Sequence, residues 1–305
     1  MTQLSQTILE HFQVRKTKKQ KDAFIGLMRQ HFPELKLQEG GFPKCRNIII
    51  GDVESAKVIL TAHYDTCAQL PLPNFIMPKR PLLSIAYSFV IIVPMIGIML
   101  LLNWLLGFLT QDFTVRYYLN TLIWFGMLFL LIAGPANKHT ANDNTSGVIT
   151  LCELYSILTP EVRSKAAFVF FDHEETGMVG ASVFRSKYKK LIKNKLLINL
   201  DCVSDGNYFL IGTSKKARKE YDQLIQGSFQ PEGKKVFLFE KAERIYYPSD
   251  QMLFPKTVAI AALKKNLFLG YYMDRIHTSR DTVFDKMNIK LLCEGIHRLL
   301  KKIET

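Results

Sequence analysis

The chain has 305 residues, which is enough for one large domain or two small ones. Apolar residues make up 48% of the sequence and charged residues 22%, a balance that excludes a disordered chain. The net charge of +13 fits an anionic partner, either nucleic acid or the inner face of a membrane. Neither zinc-finger spacing nor an aromatic-basic RNA motif is present, so we predict no nucleic-acid partner.

The five cysteines predict a reducing environment. Their number is odd, they are scattered along the chain, and no two of them form a CxxC pair. This usage favours reduced thiols in a cytosolic setting over a disulfide framework.

The first predicted element is a helix over residues 5–32. We interpret its basic stretch, from Arg15 to Lys21, as a solvated face that can also meet lipid headgroups. Two short apolar runs follow, "NIIIGD" (47–52) and "KVILTAHYD" (57–65), and each has the length of a buried strand.

Two long uncharged runs then interrupt the chain, at residues 82–109 and 117–136. Each run is at least as long as the roughly 20 residues that cross the hydrocarbon core of a bilayer. A pair of buried core helices is the alternative, but soluble cores seldom contain uncharged stretches of this length. We therefore predict that residues 81–136 form a transmembrane hairpin.

The charges around this hairpin predict its orientation. Lys79 and Arg80 precede the first span and Lys138 follows the second, so the positive-inside rule places both flanks in the cytoplasm, although Arg116 between the spans opposes this. Two spans return the chain to the same side of the membrane. We therefore expect a multi-pass membrane protein in which residues 1–80 and 137–305 form one discontinuous cytoplasmic domain.

After the hairpin, apolar runs alternate with segments of helical periodicity. Strands are predicted at 166–171, 196–201, 207–212, 235–240 and 257–263, and helices at 146–158, 177–190, 215–228 and 287–303. Strands that alternate with helices indicate an α/β fold with a mostly parallel sheet covered on both faces.

Histidines and acids recur where these strands end or in the loops beside them. They are His63, Asp65, Asp143, Glu174, Glu175, Asp201, His277 and Asp281. Any one of them alone is more simply a structural residue. Together they point to a metal, because the carboxyl ends of parallel strands meet at one edge of a sheet. Imidazole and carboxylate without thiolate suit zinc or a similar divalent ion that is held open for catalysis.

Two of these groups suggest a division of roles. His63 and Asp65 are two residues apart, so on a strand they share a face, and Asp65 can orient the ring of His63. Glu174 beside Glu175 offers one carboxylate for a metal and one as general base toward water, which is what a hydrolase needs. Two ions about 3.5–4 Å apart can share such a water.

The series "HYD", "ANDNTSG", "DHEETG", "NLD" and "HTSRDT" resembles the di-zinc aminopeptidases of metallopeptidase family twenty-eight. The resemblance implies a three-layer α/β/α sandwich of the zinc exopeptidase type, with a mixed central sheet and two zinc ions. It implies that Asp143 bridges the ions and is followed by a cis peptide bond. The remaining roles that it implies are His63 and Asp201 at one ion, Glu175 and His277 at the other, and Glu174 as general base.

The function expected from this resemblance is that of a membrane-anchored aminopeptidase acting on peptides with a free amino terminus. Several alternatives remain open on the same scaffold. They are a carboxypeptidase, an amidase for N-acyl amino acids or lipopeptides, a glutaminyl cyclase with one zinc, and a scaffold protein without catalytic activity.

Overall fold

The computed structural model describes residues 1–70 and 72–303, apart from the side chain of Ile91. Pro71 and residues 304–305, which fall in the predicted discontinuous domain, lie outside the described residues. The strands are β1 (Lys36–Gly40), β2 (Cys45–Ile50), β3 (Val58–His63), β4 (Ala166–Phe171), β5 (Leu196–Leu200), β6 (Tyr208–Thr213), β7 (Val236–Lys241), β8 (Thr257–Asn266) and β9 (Gly270–Tyr272). The helices are α1 (Gln3–His11), α2 (Lys18–His31), α3 (Pro81–Leu109), α4 (Phe113–Ala133), α5 (Gly147–Ile157), α6 (Pro160–Arg163), α7 (Val179–Lys187), α8 (Lys215–Gln226) and α9 (Lys286–Lys302).

The strands form one mixed sheet in the order β1-β2-β4-β3-β5-β8-β6-β7, and β9 pairs with the end of β8. The four central strands, β4, β3, β5 and β8, are parallel, whereas β1, β2 and β6 join their neighbours toward the centre in antiparallel fashion. The carboxyl ends of the four central strands therefore meet at one edge of the sheet.

Helices cover both faces of this sheet, as strand β4 shows. Ala166, Phe168 and Phe170 enter a core that also contains side chains of α1, α2, α5 and α9. The intervening residues, Ala167, Val169 and Phe171, enter a second core against α7. Side chains of a strand alternate between the two faces, so a strand that is buried on both sides is apolar throughout. The predicted three-layer sandwich is confirmed.

The predicted helix over 5–32 is in fact two helices, and the interpretation of its basic stretch is wrong at two positions. Thr17 and Gln20 form a capping box that begins α2. Arg15, in the connection before it, is fully buried and its guanidinium donates to the carbonyl of Tyr64. Lys21 is also buried, because its ammonium pairs with the carboxylate of Asp172. Strands β1 and β9 and helix α6 were not predicted.

The two uncharged runs form the antiparallel helices α3 and α4. This pair is inserted in the chain between β3 and α5. Both helices are long and apolar enough to cross a membrane. Most of their apolar side chains are exposed, so they are not the buried core helices that the sequence left as an alternative. Polar contacts at Asn103 join them, since Arg116 and Asn120 both donate to its side chain, at 3.1 and 2.7 Å.

Candidate metal centre

The structure brings the seven predicted site residues together at the carboxyl edge of the parallel strands. His63 is the last residue of β3, and Asp201 directly follows β5. Glu174 and Glu175 lie in the turn after β4. The other three are Asp65, in the loop after β3, Asp143, in the turn Ala141–Ser146 before α5, and His277, in the loop after β9.

Asp143 lies between the two histidines. One of its carboxylate oxygens, Oδ1, is 3.3 Å from Nε2 of His63, and the other, Oδ2, is 3.0 Å from Nε2 of His277. The same nitrogen of His63 is 3.4 Å from Oδ1 of Asp201, and that of His277 is 3.2 Å from Oε2 of Glu175. The result is two groups of one imidazole and two carboxylates that share Asp143.

The backbone and one further acid hold Asp143 in this position. The peptide bond between Asp143 and Asn144 is cis, as the resemblance implies. The carboxylate of Asp281 accepts hydrogen bonds from the backbone nitrogens of Asn142 and Asp143, at 2.9 and 3.0 Å. Asp281, which the sequence presents only as one more acid near a strand end, therefore fixes the turn that contains Asp143.

Asp65 contacts both His63 and the turn that contains the two glutamates. The Nδ1 atom of His63 is 3.1 Å from the backbone carbonyl of Asp65 but 3.7 Å from its carboxylate. That carboxylate accepts the backbone N–H groups of Glu174 at 2.9 Å and of Glu175 at 3.2 Å. Asp65 therefore joins the end of β3 to the turn after β4, and it fixes the two glutamates relative to His63.

Burial and charge shift the titration of the two glutamates upward. The pKa of Glu174 is raised well above its usual value because the carboxyl group is buried and because Glu175 and Asp250 lie near, although His63 opposes the shift. Burial likewise raises the pKa of Glu175 to about 8, against the opposing charge of His277. Carboxyl groups in such surroundings bind a proton more readily than exposed ones.

The two imidazoles shift in the same direction for a different reason. Burial opposes protonation of His277, but the carboxylates of Glu175 and Asp143 outweigh it and raise the pKa of His277 to about 9. His63 is also buried, and its contacts with Asp143 and Asp201 raise its pKa well above the usual value. When protonated, each imidazole places a positive charge among these acids.

Sequence reasoning missed Cys67, which lies at this centre. The sulfur of Cys67 lies within 4.8 Å of ligand atoms of Asp143, Glu175 and His277. Burial raises its pKa well above the usual value, so the thiol stays protonated near neutral pH. The signal in the sequence was its place four residues after His63, in the loop that leaves β3.

The side chains present fit a pair of divalent ions. Imidazole nitrogens and carboxylate oxygens are the donors that catalytic zinc prefers, and two groups of three converge on one shared carboxylate. Glu175 also has an oxygen, Oε1, that is buried without a hydrogen-bond partner. Both oxygens of Asp250, whose carboxyl group lies near Glu174, are buried without one as well. Buried polar atoms normally have partners, so unmatched carboxylate oxygens at this place favour a cation.

Comparisons with solved structures agree with this fold. A Zn-dependent exopeptidase from Parabacteroides distasonis superposes with a TM-score of 0.59 at 14% identity, over 98% of this chain and 96% of that one. The glutaminyl cyclase of Porphyromonas gingivalis gives 0.58 at 17% identity, over 98% and 96%. The LapA aminopeptidase of Legionella pneumophila gives 0.54 at 11% identity, over 99% and 70%. At these identities the likeness shows the fold alone.

Comparisons of the sequence with curated proteins and with family models gave different outcomes. No curated protein matched the chain. The family model described as "Peptidase family M28" matches residues 126–294, which is more than half of the chain. The matched segment includes Asp143, Glu174, Glu175, Asp201 and His277. The chain therefore belongs to peptidase family M28, whose members are zinc-dependent hydrolases that act on peptides.

Proposed function

We propose that this protein is a membrane-anchored aminopeptidase that uses two divalent metal ions, with zinc as the expected metal. The observation that carries the proposal is the shared carboxylate of Asp143, whose two oxygens face the two histidines at 3.3 and 3.0 Å. In this assignment His63 and Asp201 would hold one ion, Glu175 and His277 would hold the other, and Asp143 would serve both.

The metal pair and the protein divide the chemistry. When bound, two divalent ions supply a Lewis acid that polarises the peptide carbonyl and lowers the pKa of water. Glu174 is the proposed general base. Its raised pKa suits a group that first takes a proton from the attacking water and then passes it to the leaving amine.

Asp65 supports this proton transfer without touching the substrate. Its carboxylate holds the backbone nitrogens of Glu174 and Glu175, so the base and the neighbouring metal ligand keep a fixed separation. Such positioning matters because small displacements of a catalytic group from its reactive geometry cost large factors in rate.

The acidic surroundings favour a substrate with a positively charged end. Asp250 adds a buried carboxyl group with two unmatched oxygens, and its charge helps to raise the pKa of Glu174, in addition to the effect of the acids of the metal centre. A free ammonium group is better accommodated there than a terminal carboxylate, which favours an aminopeptidase over a carboxypeptidase. A glutaminyl cyclase with one zinc is disfavoured by the two groups that share Asp143.

The first test compares pairs of peptides that differ only in acetylation of the amino terminus. We expect detergent-purified protein to cleave the free peptides and leave the acetylated ones intact. Glu174→Gln should be nearly inactive while still binding two ions. Cleavage of acetylated or N-acylated substrates instead would overturn the aminopeptidase assignment and favour the amidase. A single bound ion with transfer rather than hydrolysis would favour the cyclase.

Membrane anchorage rests on α3 and α4, which are uncharged over their predicted spans and largely exposed. We expect the protein to remain with membranes after an alkaline carbonate wash. We also expect its catalytic domain on the cytoplasmic side, as the flanking Lys79, Arg80 and Lys138 predict. Release by the wash would contradict the anchor, and protease digestion of the catalytic domain from outside intact cells would contradict the orientation.

A further inference from the structure

We propose that the tip of the β8–β9 turn, Leu267 and Phe268, inserts into the interfacial layer of the same bilayer that α3 and α4 cross. The inference rests on the proposed membrane anchorage. The two side chains are 88% and 82% exposed, and they stand next to each other at a point that the catalytic chemistry does not use. Adjacent exposed apolar side chains of this size mark an interaction surface.

Strand β8 carries this tip well beyond the catalytic centre. Its ladder with β5 ends where Ile260 pairs with Leu200, the residue before Asp201. The strand then continues for six residues to Asn266, pairing with β9 on the way. At about 3.3 Å per residue the tip lies on the order of 20 Å past the carboxyl edge of the sheet. Helices α3 and α4 connect to the fold at this same edge, because the chain enters α3 from the loop that follows His63.

Direct contacts place the tip beside the start of α3. Arg80, the residue before this helix, donates from its guanidinium to the carbonyl of Phe268 at 2.5 Å. Further along, the ring of Phe75 lies 5.1 Å from that of Tyr87 in α3 and 6.1 Å from that of Tyr272 in β9. The β8–β9 turn is therefore fixed to the first turns of the membrane helix.

The apolar surface of α3 extends to the end of the helix that lies beside the β8–β9 turn. The helix has 29 residues, which is about 43 Å at 1.5 Å per residue, whereas the hydrocarbon core is about 30 Å thick. Some of its length must lie in the interfacial layer or be taken up by tilt. Leu82, in its first turn, is 83% exposed. The exposed surface of α3 is thus continued by Leu267 and Phe268, which Arg80 connects to it.

The charges around the tip suit lipid headgroups as the partner. Lys79 and Lys265 are exposed, and their ammonium groups lie 5.2 and 5.3 Å from the ring of Tyr271. The ammonium of Lys79 also pairs with Glu240. With Arg80 the two lysines form a set of cations behind the apolar tip. Apolar side chains flanked by lysine, arginine and tyrosine are typical of segments that lie in the interface of an anionic bilayer.

The test measures the depth of position 268 in vesicles of mixed phosphatidylcholine and phosphatidylglycerol. The full chain carries Phe268→Cys labelled with nitrobenzoxadiazole, and lipids with a nitroxide at a shallow acyl position act as quenchers. All five native cysteines are buried, which favours labelling at the introduced one. Two matched positions serve as controls. Leu105→Cys lies within α3, and Ile157→Cys lies at the exposed end of α5, at the opposite edge of the sheet.

We expect quenching at positions 268 and 105 and none at position 157. Quenching at 105 with position 268 as unaffected as position 157 would overturn the proposed insertion while leaving the anchor intact. Absence of quenching at 105 would overturn the anchor itself, and the inserted tip with it. Loss of quenching at 268 in the added variant Leu267→Asp, with quenching at 105 retained, would support insertion through the apolar tip.

Discussion

The carboxylate of Asp65 accepts a hydrogen bond from the backbone nitrogen of Glu174 at 2.9 Å, and its second oxygen accepts one from the next residue. The loop after β3 thereby fixes the turn after β4. A residue that is neither the proposed general base nor a proposed metal ligand thus fixes the positions of both glutamates.

We predict that Asp65→Asn lowers kcat by about 10–100-fold, the usual range for a residue that supports a metal site from outside. An amide replaces one of the two acceptor oxygens with a donor, so one backbone nitrogen loses its partner. The kcat and the metal content are measured together on the full chain, and we expect the metal content to fall less than kcat does.

Asp52 provides a matched control for this substitution. Its carboxylate also accepts two successive backbone nitrogens, those of Glu54 and Ser55, but in a turn before β3 that is remote from the metal centre. Asp52→Asn should leave kcat unchanged. Equal losses in the two variants would show that Asp65 matters only for folding.

The shared position of Asp143 predicts an uneven pattern of metal loss. Asp201→Asn and His277→Ala each remove a proposed ligand from one group, so each variant should retain about one ion per chain. Asp143→Asn weakens both groups at once, because each of its oxygens faces a different histidine. The ions per chain are counted by plasma mass spectrometry. Retention of one full ion in the Asp143 variant would contradict the bridging assignment.

The raised pKa of His277 predicts that metal affinity depends on pH. Below its pKa of about 9 the free imidazole is protonated, and a metal must displace that proton before it binds. Apparent affinity should therefore rise with pH, by about tenfold per unit for each proton released, and level off as pH passes the pKa. Competition with a chelator at several pH values measures this slope. A flat profile between pH 6 and about 8 would contradict the prediction.

Most of the fold could be predicted from the sequence, because the central strands are apolar runs and the helices show apolar residues at helical spacing. The exceptions are local. Strands β1 and β9 are short and mostly polar or aromatic, so no apolar run marks them. The separation of α1 from α2 did have a signal, since Thr17 and Gln20 have the spacing of a capping box.

The site was predictable as a set of residues but not in its supporting contacts. In "DHEE" three acids stand together, yet the structure separates them. Asp172 turns inward to pair with Lys21 and to accept from the backbone nitrogen of Arg46, whereas Glu174 and Glu175 face the metal centre. The direction of a side chain in a turn depends on neighbours that the fold brings from elsewhere. The same holds for Asp65, whose partners lie 109 and 110 residues away.

The buried pair of Lys21 and Asp172 predicts a large effect on stability. Both side chains are almost fully enclosed, with exposures of 5% and 1%. Lys21→Met removes the cation and leaves a buried carboxylate whose remaining hydrogen bonds come from the backbone nitrogens of Arg46 and His173. Breaking such a pair from one side typically costs about 3–5 kcal/mol in the free energy of unfolding. Denaturant titration of the full chain in detergent measures the loss.

Lys44 is the matched control, because its ammonium pairs with Glu39 at 2.5 Å while both side chains are largely exposed. Exposed pairs contribute about 0–1 kcal/mol, so Lys44→Met should change the free energy of unfolding little. Salt separates the two cases further, since screening weakens the exposed pair and leaves the buried one nearly unaffected. If Lys21→Met proves as mild as Lys44→Met, the carboxylate of Asp172 must reach water in the variant. The double variant Lys21→Met with Asp172→Asn tests that explanation. If Asp172 no longer carries a buried charge in Lys21→Met, the added Asp172→Asn should not increase the free energy of unfolding.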